Sequence, residues 1–309
     1  MASAARLHTR TLAWVRDSTW SSLFGYAYFL IFAGLLLRLP APASLRSHLR
    51  PLLLAAPVLP FVAKELAHLP DFVERFRAAI AHRSGWARFA CAFFPPELIG
   101  LLRLERALRG GFAGWVRRRP SFARPAGQAF GFLDRGSYST AVAIVLVSSL
   151  IELPVAALVI PLFLHDPMSR TVIHLTLGGL CLSTLAWTLG DRWMVRGSWH
   201  VLTEACLDLQ VGARLRCAVP LSAIESCAVT DAPRAQWCAS HQLRLRETLL
   251  VTPLDRPNVV LRLKPGNRVR ATSCGMEVDC AAAIFLYVDR PAALISALES
   301  SLKRSWAQR

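Results

Sequence analysis

The chain has 309 residues, 54% hydrophobic and 18% charged, with 36 Lys+Arg against 20 Asp+Glu and a formal charge of +16. That apolar content excludes a disordered chain, and the lack of heptads or a Gly-x-y period excludes a coiled-coil or collagen-like rod. Apolar and basic together predict a membrane protein whose arginines sit in the loops flanking its spans.

The charge distribution supports that class. Residues 1–190 hold 20 basic and 9 acidic groups, and residues 191–309 hold 16 and 11, so the excess lies among the hydrophobic runs. A nucleic-acid binder would concentrate its charge on a soluble domain with a recognisable motif. None is present, and no nucleic-acid partner is expected.

In chain order, a basic lead (Arg6, Arg10, Arg16) precedes Trp20–Leu37, 18 residues without a charge, long enough to cross a bilayer. The run exceeds a signal-peptide core, and an uncleaved anchor is expected. The next run, from Pro51 to about residue 66, is interrupted by Pro57 and Pro60 and reads as a second span or a re-entrant segment. Together these form an N-terminal membrane region, residues 1–65. Residues 66–136 carry 12 arginines and 5 acids and read as a basic cytoplasmic loop. Within it, Pro95-Pro96-Glu97 predicts a helix start, and an amphipathic helix is expected over about 96–109, stopped or loosened by Gly110-Gly111.

Arg103, Arg106 and Arg109 flank the apolar sector of that helix, and Arg117, Arg118 and Arg119 follow it. All six are read as a membrane-surface or partner-binding set facing anionic headgroups. The alternative is a helix packed on the protein's own core. A transmembrane hairpin is expected over 137–190, with spans at about 138–164 and 171–189 joined by His165–Arg170.

After Arg196 the hydrophobic period falls to two residues. Strands are expected at 199–204, 206–210, 214–218, 224–230, 241–245, 248–252, 258–264 and 283–288. A closing helix follows, in which Leu294, Leu298 and Leu302 recur every four residues. This describes an α+β unit over 197–303, a small barrel or sandwich plugged by its final helix.

The segment HVLTEACLDLQVGARLRCAVPLSAIESCAV resembles bacterial pleckstrin-homology-like (PH-like) domains, and FLYVDRPAALISAL resembles their last strand and helix. In the apolar half, PPELIGLLRLERAL, GSYST, LIELP and LGDRW look like an uncharacterised bacterial inner-membrane family carrying such a domain. The resemblance implies a cytoplasmic PH-like domain behind about four transmembrane helices, and no reaction. Phosphoinositide-binding members place basic residues in the first inter-strand loop, whereas Thr203-Glu204-Ala205 here is short and acidic. An unidentified protein partner of the C-terminal domain is therefore the better expectation.

Catalytic residues, cofactors and metals are not expected. There is no G-x-S-x-G, P-loop, GxGxxG or HExxH, and the eight cysteines form no CxxC pair, which favours reduced, half-buried thiols over zinc. Glu152 is the one acid within the hairpin spans. Counting from the hairpin midpoint puts it level with Ser183 and Thr184, one turn from Ser148 and Ser149. Either the five form a proton or cation site of a small transporter, or Glu152 is a neutral acid hydrogen-bonded to hydroxyls near Pro154. No second intramembrane acid or base lies at that depth, which favours the structural role. The expected function is a non-enzymatic, membrane-tethered interaction module.

Overall fold

A computed structural model describes residues 20–38, 42, 55–56, 58–67, 69–81, 96–163 and 166–307. The basic lead, residues 51–54, Cys91 and His165 lie outside the described residues. The chain forms two compact units, residues 1–98 and 99–309.

The first unit holds α1 (Trp20–Arg38), α2 (Leu59–Ala67) and α3 (Leu69–Ala81). Leu23 and Ala27, four apart on α1, are buried on one face. Pro60 and Pro70 each fall in a first helical turn, where the missing N–H has no intrahelical partner to lose. At 1.5 Å per residue the nine residues of α2 rise only about 13 Å, less than half a hydrocarbon core.

Most of α4 (Pro96–Val116) lies in the second unit; the helix begins at Pro96 with Glu97 in its first turn. It does not stop at Gly110-Gly111 but runs to Val116. The reason is tertiary. A Cβ on Gly111 would lie 2.7 Å from the Gly190 carbonyl oxygen, and one on Gly190 would collide with the Leu108 carbonyl. The glycines let two helix backbones touch, and that packing offsets their helix cost of about 1 kcal/mol each.

The hairpin consists of α5 (Tyr138–Phe163) and α6 (Pro167–Arg196). Asp166 caps α6 by accepting from the Ser169 amide at 2.7 Å, with Pro167 in its first turn. Both helices are long and apolar enough to cross a membrane, and only 6% of each apolar window is buried. They are the only two such helices among the described residues. The second does not end with the apolar run near Leu189 but continues as helix into the sheet region.

That region contains two sheets. In the first, β1 (Gln128–Phe130), β2 (His200–Leu202), β3 (Cys206–Val211), β4 (Leu215–Pro220), β8 (Val269–Ser273) and β9 (Met276–Cys280) lie in that order, all antiparallel. In the second the order is β5 (Ile224–Val229), β7 (Val259–Leu263), β10 (Ala283–Leu286) and β6 (Thr248–Val251), with β6 and β10 parallel. The alternating burial of β4 turns Leu215, Cys217 and Val219 inward against Leu261, Ile284 and Leu286. The closing helix α8 (Pro291–Ala307) adds Leu294, Leu298 and Leu302 to the same core.

Three features depart from the sequence expectation. Residues 241–245 form no strand; a short helix, α7 (Arg234–Ser240), precedes them and buries Cys238 while Trp237 meets Phe285 edge-on. The β8–β9 hairpin was not anticipated, its signal being only Cys274-Gly275, both at positive φ as a two-residue primed turn requires. Finally, β1 lies inside the segment read as a cytoplasmic loop and extends the first sheet at its β2 edge.

Candidate functional site

The base of the hairpin, where α4, α5 and α6 meet the first sheet, carries the densest polar organisation. Asp191, near the end of α6, is buried. Arg214 grips it from the β3–β4 connection with Nε 3.0 Å and Nη2 2.7 Å from its two carboxylate oxygens, and the Tyr138 hydroxyl donates to it at 2.8 Å. A bidentate guanidinium plus a phenol satisfies a carboxylate that would otherwise be costly to bury. Gly212 admits this approach: its φ is +54°, and a Cβ there would press within 2.9 Å of Val195.

A strap over residues 131–137 completes the junction. Asp289 accepts from the Asp134 and Arg135 amides at 3.2 and 2.9 Å, and its own amide donates to the Gly131 carbonyl at 2.8 Å. Asp255 accepts from both the amide and the hydroxyl of Ser137, at 2.6 and 2.7 Å. The first serine of GSYST, Ser137, is thus a structural anchor. Beneath the strap, the fully buried His200 ring stacks on Phe132 with centroids 4.5 Å apart. Burial lowers its pKa to about 4, against the opposing pull of the Trp199 carbonyl and Asp289.

The arginine set divides. Arg103 donates to the Gly275 carbonyl at 3.2 Å and so belongs to the packing of α4 on the β8–β9 turn. Arg106 and Arg109 are exposed on the outer face, Arg109 paired with Glu105. Arg117, Arg118 and Arg119 are exposed at the end of α4. There the Arg119 amide reaches the Gly114 carbonyl and the Arg118 amide the Trp115 carbonyl, with Arg118 at φ +54°. This is a Schellman closure with arginine where glycine is usual. The Trp193 indole donates to the Arg119 carbonyl at 3.0 Å and ties the turn to α6. Arg192 and Arg196, exposed on the same final turns of α6, were missed by sequence reasoning. Their signal was the charged Asp191-Arg192-Trp193 directly after an apolar span.

The structure keeps Ser148 and Ser149 within one turn of Glu152 on α5 but does not place Ser183 and Thr184 level with it. The Cys181 thiol donates to the Ser149 carbonyl at 3.1 Å, and this fixes the hairpin register. With 149 level with 181, Glu152 lies level with about 178, some 7 Å along the helix from Ser183. Ser149 is buried, but Ser148, Glu152, Ser183 and Thr184 are exposed, and the Thr184 hydroxyl is bonded to its own helix at Leu180. The count placed the midpoint too late because the hairpin turns earlier than the loop sequence implied.

Among the described residues, no group of three His, Cys, Asp or Glu side chains is placed to hold a metal. The seven described cysteines are free, and burial pushes the Cys217 and Cys227 thiols up to about 12, away from reactive thiolate. No family model, curated protein or solved structure matches this chain.

Proposed function

We propose that this chain is an integral protein of a bacterial inner membrane whose PH-like C-terminal domain stands at the cytoplasmic face as a non-enzymatic platform for another protein. One observation carries the reading: Tyr138 and Val142 at the start of α5 and Val195 at the end of α6 are buried in the same core as the sheet residues. A domain sharing its core with the membrane hairpin is held in one orientation, which suits positioning a partner and not a flexible leash. The layout of two sheets closed by a helix is compatible with the PH-like resemblance.

The surface offered to a partner is the second sheet. Its outer strands β5 and β6 each pair on one side only, and Val229, 54% exposed, stands on the β5 edge. In-cell crosslinking of the full chain, read by mass spectrometry, is expected to recover a protein partner that Val229→Lys loses. Partners unchanged by that substitution count against the β5 edge. A reporter fused after Arg309 and active only outside the cell, or flux across reconstituted vesicles abolished by Glu152→Gln, overturns the reading.

A further inference from the structure

Beside the Arg117–Arg119 turn, α4 and α6 leave a groove of about 390 Å³. It is lined by Gly110, Gly111 and Gly114 together with Arg117, Arg119 and the buried Met194. No acidic side chain among the described residues lies within ion-pair distance of Arg117 or Arg119. Two helix C-termini meet here, and their carbonyls would repel an anion if free. Five of them are occupied: Ala113, Gly114 and Trp115 accept from the Arg117, Arg119 and Arg118 amides, and Trp193 and Val195 accept from the Gly197 and Ser198 amides. The only acid of the adjoining turn, Asp191, is matched by Arg214. What remains facing the groove is net positive, from Arg117 and Arg119.

Its place along the hairpin gives the groove a second character. Met194 lies just past the apolar part of α6, where charged residues begin, and Trp115 and Val116 at the end of α4 are 41% and 62% exposed. Exposed indole and arginine beside an apolar span mark the headgroup level of a bilayer. Above that level the hairpin presents bare leucines, Leu180 and Leu182 among them.

We infer that this groove binds one anionic phospholipid, its phosphate between the Arg117 and Arg119 guanidiniums, its glycerol over the glycines and its acyl chains along the hairpin. The inference rests on the membrane reading above and deepens it from general attraction to a defined lipid site. Gly111 is needed for the α4–α6 contact, whereas a Cβ on the neighbouring Gly110 would meet nothing within 4 Å, and that open space leaves room for a headgroup.

The test uses the full chain, extracted in detergent, delipidated and incubated with palmitoyl-oleoyl phosphatidylglycerol or phosphatidylcholine, with bound lipid counted by native mass spectrometry. One phosphatidylglycerol per chain is expected, preferred over phosphatidylcholine by about thirty-fold if each arginine contributes as at a membrane surface. Arg117→Gln/Arg119→Gln should abolish the preference while circular dichroism stays unchanged, since both side chains are exposed and the turn is closed by backbone groups. Arg268→Gln/Arg270→Gln, elsewhere on the domain, should leave it intact. Equal uptake of both lipids by the unmodified chain, or undiminished phosphatidylglycerol in the arginine variant, overturns the site. So does displacement of the lipid by inorganic phosphate alone, which would identify a soluble anion as the ligand. A carbonate wash of cell membranes separates the levels. Protein released by the wash overturns the membrane reading and the site with it, whereas protein retained without lipid preference overturns the site alone.

Discussion

Asp191 shows how one side chain fixes the relation of hairpin to sheet. Asp191→Ala leaves Arg214 and Tyr138 facing an empty partner position, and a loss of about 2–3 kcal/mol is expected in denaturation of the full chain in detergent. The figure sits below that for a fully buried pair because the Arg214 side chain keeps 38% of its surface in solvent. His200 gives the junction a pH dependence. Its folded pKa, about 4, is below the unfolded value of 6.5, so between them the unfolded chain binds the extra proton and stability falls as pH falls. The loss should total about 3 kcal/mol across that window, and His200→Phe should flatten the thermal-shift profile there. Arg118 works the other way: at φ +54° its Cβ is strained, and Arg118→Gly should stabilise the chain by about 1 kcal/mol in the same denaturation measurement.

Among the elements, α4 differs most from its sequence reading. An amphipathic, arginine-rich helix ending in two glycines reads naturally as a surface helix that stops there. What the pattern hides is a second set of small residues, Gly100, Gly111 and Gly190, whose partners are far away in sequence. Gly100 meets the β8–β9 turn, where a Cβ would lie 2.8 Å from the Cys274 carbonyl oxygen. Gly111→Leu should push α4 off α6, break the Trp193–Arg119 hydrogen bond and cost about 3 kcal/mol or more; protease cleavage near Arg117–Arg119 should then appear. The hairpin carries a contrasting expectation. Glu152 is exposed and lies off the level of Ser183 and Thr184, so Glu152→Gln should leave thermal stability in detergent within about 0.5 kcal/mol of the parent.

For the whole molecule, the helix continuing from Leu189 to Arg196 is the decisive feature, because it removes any linker between the apolar hairpin and the sheet. Orientation is then set by covalent continuity and a shared core. Deleting only residues 197–309 would strip Tyr138, Val142, β1 and the strap of their partners. Such a truncation is expected to aggregate in detergent, as size-exclusion chromatography would show, so point substitutions are the sounder way to map a partner surface.

Composition and periodicity alone determined the long apolar hairpin, seven of the eight expected strand positions, and the leucine stripe of the closing helix, since each depends on residues a few positions apart. Tertiary structure alone decided the rest. A bare strand such as Gln128–Phe130 acquires its hydrogen bonds only from β2, 70 to 74 residues away. Carboxylates at 255 and 289 look like turn residues until the strap amides arrive, and glycines look like helix breakers until a second backbone fills the space. Local pattern reports which surface a residue prefers to face, and only the folded chain supplies the group it faces.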